Sequence, residues 1–173
     1  MFLLIDGYNL LHSGRTPIRL NGTQLQWERD RLIDQLSVYR QTKPIEIIVV
    51  FDGWQAGWTT EKRERRKGIE IIFSKIGEKA DEVLKRLIKE KGAGAIVISS
   101  DHEISKYANK FSVPVISSEQ FQEKLGRSEN GIRKEFLKDN GEEDDELRGM
   151  KKKGASRKLS KKEKRLRIAL KKL

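Results

Sequence analysis

Four aspartates stand where the chain leaves an apolar run. Asp6 follows Leu3-Leu4-Ile5 directly, Asp52 follows Ile47-Ile48-Val49-Val50-Phe51 directly, and Asp101 follows Ala95-Ile96-Val97-Ile98 by way of Ser99 and Ser100. Asp81 comes a few residues beyond Ile69-Glu70-Ile71-Ile72-Phe73. With no cysteine and two histidines in the chain, such a group offers oxygen ligands almost alone, which favours Mg²⁺ or Mn²⁺ over zinc. Divalent ions held this way lower the pKa of water and stabilise the charge that builds on a phosphodiester during in-line displacement. The chemistry to expect is phosphodiester hydrolysis.

The elements that must position these acids read as an α/β fold. The runs ending at Ile5, Phe51 and Ile98 are continuous rather than alternating, as in strands of a parallel sheet buried on both faces. Ile69–Phe73 carries a glutamate and Val113–Ile116 a proline, so both suit sheet edges. Helical spacing lies between them. Leu25, Leu32, Leu36 and Tyr39 follow a capping-box pair at Thr23 and Gln26; Val83, Leu84, Leu87 and Ile88 stop near Gly92 and Gly94; Ile104, Ala108 and Phe111 follow Ser100 with Glu103; a short helix follows Ser118. Alternating strands and helices predict right-handed crossovers and a doubly wound, mostly parallel five-stranded sheet, of order 3-2-1-4-5. Ligands then bind outside the carboxyl ends of the strands, where the winding reverses. Asp6 and Asp101 would end neighbouring strands there, with Asp52 one strand further out.

Asp81 precedes Leu84 by three residues and Ile88 by seven, so its side chain falls on the helix face that packs inward. A carboxylate on a burying face is costly unless a cation or donors meet it. Asp101 stands in the same relation to Ile104 and Ala108, whereas Glu82 reads as an exposed partner of Arg86 and Glu103 as a capping residue. Each acid has an ordinary reading beside the chemical one: Asp6-Gly7 and Asp52-Gly53 as turns, Asp81 and Asp101 as partners of helix dipoles.

Four short motifs go further together. Phe2-Leu3-Leu4-Ile5-Asp6-Gly7-Tyr8-Asn9-Leu10, Val49-Val50-Phe51-Asp52-Gly53, Phe73-Ser74 leading into Ala80-Asp81-Glu82, and Ile98-Ser99-Ser100-Asp101 resemble, in order and spacing, the NYN domain of PIN-like ribonucleases, most closely its YacP-like bacterial branch. The resemblance covers roughly the first 125 residues. It implies a PIN-like fold, metal-dependent endoribonuclease activity in RNA decay or processing, and a catalytic and metal site at Asp6, Asp81 and Asp101. Asn9 matches the motif asparagine, which would orient an aspartate or a water on the metal. Asp52 matches a common family position and joins Asp6, Asp81 and Asp101 as an expected metal ligand, and Ser100 supports the site or caps a helix. The lysine-rich ending after Lys151 lies outside the resemblance.

Single-stranded RNA is held by cationic tracks and aromatic platforms. The stretch Asp52 to Gly68 reads as a long loop with a helical portion, leaving the rim with Trp54 and Trp58 and then Arg63, Arg65, Arg66 and Lys67. Either these residues offer both platform and track beside the rim, or one of the two tryptophans packs into the core and the charges merely face water. Lys75 and Lys79 flank the loop before Asp81 and would meet neighbouring phosphates. His12 and His102 are tempting bases, but lone histidines near helix ends are more often structural.

The net charge of +11 is not spread evenly. Of 37 Lys and Arg, 12 fall in residues 151–173 with one acid, Glu163, which leaves 25 cations and 25 acids in residues 1–150. The expected organisation is a catalytic domain over 1–126, a charged linker over 127–150 and a basic, partly helical tail over 151–173. In that tail Lys151, Lys152, Lys153, Arg157 and Lys158 precede a helix with Leu166, Leu170 and Leu173 on one face. A tethered polycation beside a neutral domain attracts nucleic acid, free RNA or the ribosome, unless it is only a solubilising tail. Membrane-spanning and disulfide-stapled classes find no support, and the chain reads as cytoplasmic. The rival reading is a non-cleaving RNA-binding or ribosome-associated module. A small-molecule phosphohydrolase would have no use for a tail of this charge. The sequence carries no signal of oligomeric state.

Overall fold

The computed structural model describes residues 1–13, 21–53, 58–126 and 161–172. Six strands form one sheet: β1 (Phe2–Asp6), β2 (Glu46–Phe51), β3 (Lys62–Arg66), β4 (Ile69–Phe73), β5 (Ala95–Ile98) and β6 (Val115–Ile116), in the order β3-β4-β2-β1-β5-β6. All neighbours are parallel except β3 and β4. The helices are α1 (Gly7–His12), α2 (Gly22–Gln41), α3 (Ala80–Lys91), α4 (His102–Lys110), α5 (residues 118–126) and α6 (Lys161–Lys172). With β3 set aside, the order is the predicted 3-2-1-4-5.

Strand alternation sorts the core into two layers. Leu3, Ile5, Ile47, Val49, Phe51, Ile96 and Ile98 face Leu32, Leu36 and Tyr39 of α2 and Phe121 and Leu125 of α5. Leu4, Ile48, Val50, Ile72 and Val97 face Val83, Leu84, Leu87 and Ile88 of α3 and Ile104 and Ala108 of α4. Both faces of the inner strands are therefore covered, which is why those strands are apolar throughout. Truncating one fully buried member, such as Leu4 or Leu36, to alanine costs about 2–5 kcal/mol.

The additional strand lies where the sequence predicts a loop with a helical portion. Lys62–Arg66 pairs antiparallel with Ile69–Phe73 through the two-residue turn Lys67-Gly68, at φ of 51° and 81°. Positive φ at both central positions matches the twist of a tight hairpin. Glycine at 68 suits that φ, and a Cβ there would stand 2.7 Å from Nη1 of Arg40, a flexible side-chain end that could shift aside. The new strand makes β4 an interior strand rather than an edge. Its own edge is charged, which discourages pairing with another chain.

Several local expectations shift by a residue or two. The capping box of α2 is Asn21 with Gln24, reciprocal at 2.8 and 3.0 Å, not Thr23 with Gln26; Gln26 binds Asp30 instead. Asp101, not Ser100, caps α4. Glu82 pairs with Lys85, while Arg86 reaches Glu78 and Glu61. At the C-terminal end, α6 lies on the sheet beside β6, with Ala169 buried in the first core layer and Leu166 packed against it. Leu170 and Leu173 fall outside the described side chains. No helix among the described residues is long and apolar enough to cross a membrane.

Candidate active site

Asp6 is the last residue of β1 and the N-cap of α1, so the strand turns straight into the helix. Gly7 permits that turn: a Cβ on it would stand 2.3 Å from the Phe51 ring. One Asp6 carboxylate oxygen accepts from the Asn9 N–H at 3.1 Å, and the other from the Ser99 hydroxyl at 3.3 Å. Register explains the second bond. Ile5 pairs with Ile98, so the next residues along the two parallel strands, Asp6 and Ser99, stand side by side.

The Ser99 hydroxyl also accepts from the Asp101 N–H at 3.1 Å, so one buried hydroxyl ties together the ends of two strands. Asp101 caps α4 through one oxygen, which accepts from Glu103 N–H at 2.6 Å and Ile104 N–H at 3.0 Å. Asp81 lies half-buried in the first turn of α3. The three acids feel one another. Burial, then the charges of Asp81 and Asp101, push Asp6 up to about 6 against the lowering effect of its two donors. Burial and Asp101 raise Asp81, opposed by Lys85 and Lys79. The sequence-predicted trio is thus brought to one rim.

Among the described residues, however, no three carboxylate or histidine side chains converge closely enough to hold one ion directly. The oxygen donors match a hard divalent ion in kind.

Asp52 stands one strand away. Phe51 pairs with Phe73, which places Ser74 beside Asp52, and the Ser74 hydroxyl donates to it at 3.3 Å. Its charge helps raise the Tyr8 hydroxyl, although burial is the larger cause. Gly53 follows because a Cβ there would stand 2.0 Å from the Ser74 carbonyl oxygen.

Asn9 meets Asp6 through its main chain only. Its carboxamide oxygen instead accepts from Ser100 N–H at 2.9 Å and from the Ser118 hydroxyl at 2.6 Å. The Ser100 hydroxyl donates to Glu119 at 2.7 Å and accepts from Ser118 N–H at 3.0 Å. Ser99 and the fully buried Ser118 are the site residues that sequence reasoning missed. The signal available was two adjacent serines before an aspartate, and a second Ser-Ser pair, Ser117-Ser118, at the end of β6.

The predicted RNA contacts divide. Lys79 precedes α3 close enough to act on Asp81, and Lys75 is exposed in the same loop. Trp58 is exposed, with the Lys62 ammonium 4.5 Å from its ring centre, so it is not the tryptophan that packs inward. Trp54, Lys151, Lys152, Lys153, Arg157 and Lys158 lie outside the described residues. Arg63, Arg65, Arg66 and Lys67 run away from the rim along β3, since Lys62 pairs with Phe73 at the carboxyl end of β4 and Arg66 with Ile69 at its start. Three of them are already paired: Arg63 with Glu61 and Glu70, Arg66 with Asp30, Lys67 with Asp34.

Residues 3–167 match the family model of the YacP-like NYN domain. The chain belongs to the YacP-like NYN family. The matched span takes in the hairpin and most of α6, so the basic ending that lay outside the motif resemblance is largely inside the family's extent. Among curated proteins, YacP of Bacillus subtilis, described as uncharacterized, is 33% identical over 85 residues, which is 49% of this chain and 49% of that protein. The chain therefore aligns with about half the length of that relative. Among solved structures, a single-substitution mutant of Rae1 (YacP) from Bacillus subtilis superposes with a TM-score of 0.68 at 24% identity, over 82% of this chain and 84% of that one. A second structure of Rae1 (YacP) from Bacillus subtilis gives 0.64 at 24% identity, over 81% and 82%. These likenesses show the fold. The NYN family is of the ribonuclease type.

Proposed function

We propose that the chain is a Mg²⁺- or Mn²⁺-dependent endoribonuclease that hydrolyses RNA phosphodiester bonds at the rim formed by Asp6, Asp81 and Asp101. The observation that carries the reading is Asp6 itself. A nearly buried carboxylate whose charged neighbours include two more carboxylates is destabilised in its ionised form even with the Asn9 N–H and the Ser99 hydroxyl donating to it, and a helix cap alone does not require those two acids beside it. A cation at the rim removes the penalty.

When bound there, the ion supplies charge stabilisation for the attacked phosphate and lowers the pKa of water. The chain's own residues do the rest. Ser99 fixes the Asp6 carboxylate and the Asp101 main chain in one unit, and the α4 cap holds the Asp101 carboxylate at the rim. Lys79 and Lys75 stand where a neighbouring phosphate would pass. Hydrolysis consumes one water: its oxygen joins phosphorus, the bond from phosphorus to one ribose oxygen breaks, and that oxygen leaves with a proton.

RNA is the partner that suits the exposed cations Lys164, Arg165 and Arg167 of α6, and a cytoplasmic setting follows from that substrate, whether the RNA is free or presented by a ribosome. That no three carboxylate or histidine side chains among the described residues form a direct ligand set favours a second reading, an RNA-binding or ribosome-associated module that does not cut. The full chain incubated with labelled single-stranded and structured RNA, with Mg²⁺ or Mn²⁺ and with chelator, separates the two. Metal-dependent cleavage that Asp81→Asn abolishes supports the nuclease. RNA binding without cleavage under every metal condition overturns it.

A further inference from the structure

A groove of about 510 Å³ runs between α4, β6, the start of α5 and α6. It begins at Ser99, whose hydroxyl holds Asp6 and the Asp101 main chain, and at Ser100, whose N–H holds the Asn9 carboxamide, so groove and rim share a wall. Its lining is mixed. Val115 and Leu166 supply apolar surface; Asn109, Gln120 and Glu119 supply acceptors and amide donors; Arg165 supplies one cation.

Two of these groups are set in place by the fold. Glu119 is held by the Ser100 hydroxyl, whose hydrogen bond lowers its pKa and keeps it an ionised acceptor. Arg165 precedes Leu166, and Leu166 and Ala169 fasten α6 to the core, so the guanidinium is carried to the groove by a docked helix. Arg165 has no acidic partner among the described residues, unlike the arginines Arg63, Arg66 and Arg86 elsewhere on the surface.

We infer that this groove is a subsite for one unstacked RNA nucleotide beside the bond that is cut, an inference that rests on reading the rim as an RNA-cleaving site. The volume lies within the range of about 300–1,000 Å³ usual for small-molecule sites. A flat base meets the apolar wall, its edge meets the carboxamides of Asn109 and Gln120, ribose hydroxyls donate to Glu119, and the phosphate meets Arg165. Each part of a nucleotide thus finds its chemical complement, whereas a bare phosphate would meet the charge of Glu119 with no compensation from the wall. The usual targets of sequence-selective RNA recognition are such splayed-out bases. The groove would accordingly give the enzyme a preference at one position next to the cleaved bond.

The test uses the full chain without divalent metal, so that no ion holds the phosphate at the rim. Adenosine 5′-monophosphate, with ribose 5-phosphate as the arm lacking a base, is titrated while NMR shifts of Asn109, Gln120 and Arg165 are followed. The nucleotide should move these signals at lower concentration than the sugar phosphate. Arg165→Gln should raise its Kd about tenfold, the size of one charge-assisted contact. Lys106→Gln makes the same charge change on an exposed, non-lining part of α4 and should leave Kd within about twofold.

With RNA, Arg165→Gln should raise KM and spare the rate at saturation. Equal losses for both variants, or nucleotide binding with signals elsewhere, would overturn the subsite. So would an unchanged KM for RNA, since the groove would then serve free nucleotides. Groove-centred nucleotide binding in a chain that never cuts RNA would keep the subsite and remove the nuclease reading.

Discussion

The acidic rim and the β3–β4 hairpin look alike as strings of charge and differ in what the charges meet. On the hairpin, Arg63 stands 2.8 Å from Glu61, Arg66 2.5 Å from Asp30 and Lys67 2.5 Å from Asp34. Exposed pairs of this kind contribute about 0–1 kcal/mol each, and they neutralise a patch that a sequence reading takes for a cationic track. At the rim, Asp6 is buried and two of the charges acting on it are Asp81 and Asp101. A run of charge marks a site only where the fold leaves it unbalanced.

The largest effect that would sharpen this contrast belongs to Asp101. Asparagine also caps helices well, so Asp101→Asn should keep α4 and remove only charge. Cleavage of RNA by the purified variant, measured in single turnover, should fall at least about a hundredfold, the loss typical of removing one electrostatic stabiliser. Circular dichroism should be unchanged. Retained cleavage would return Asp101 to a purely structural cap.

Asp6 gives the next effect, in stability, and its sign follows from the direction of the shift. The folded state holds this proton up to about pH 6, against 3.8 for an unperturbed carboxyl. Between those values the folded state binds more protons than the unfolded one, so stability falls as pH rises and the whole penalty is present above 6. A difference of that size corresponds to at most about 3 kcal/mol. Asp6→Asn keeps an acceptor for the Asn9 N–H and should be more stable than the parent by about 1–3 kcal/mol at about pH 8 in urea denaturation, with the advantage lost at about pH 3.5. Mg²⁺ should narrow the gap at the higher pH by stabilising the parent. A variant that is less stable there would show that the rim is already neutralised.

What the sequence allowed a reader to see follows from where the physics is local. Five strands, their order and the placing of Asp6 and Asp101 at the ends of neighbouring strands followed from apolar runs and strand-end positions, because burial on both faces writes itself into the residues, whereas Asp81 came from the inward face of its helix and from the family motifs. Strand β3 did not. Lys62–Arg66 contains no apolar residue, and its pairing depends on a turn at Lys67-Gly68 and on acids of α2 and β4 that are distant or one strand over. Ser99 and Ser118 were hidden for another reason: their meaning comes from partners 93 and 109 residues away, Asp6 and Asn9. The docking of α6 was half visible, in the leucine spacing, but charge dominated the reading of that segment.

That docking predicts a moderate effect. If α6 were a detached polycation, Leu166→Ala would change nothing. Because Leu166 packs on the first core layer beside the buried Ala169, the substitution should lower the unfolding free energy by about 1–2 kcal/mol, less than for a fully buried leucine. Thermal unfolding of the full chain measures it, and an unchanged midpoint would separate α6 from the domain.

The smallest effect is the most direct challenge to the comparison. Lys67 sits at the hairpin turn, at the end of β3 away from the rim, and its ammonium is committed to Asp34. Lys67→Ala should cost no more than about 1 kcal/mol of stability, because both partners are exposed. Its effect on RNA affinity should stay within about twofold at roughly 0.15 M salt, where charges more than about 8 Å from the bound strand are screened. Lys79→Ala removes the same charge beside Asp81 and should weaken RNA binding more and flatten its salt dependence by about one phosphate contact. If the two substitutions weaken RNA equally, the hairpin takes part in binding after all, and internal pairing would not be what distinguishes idle cations from working ones.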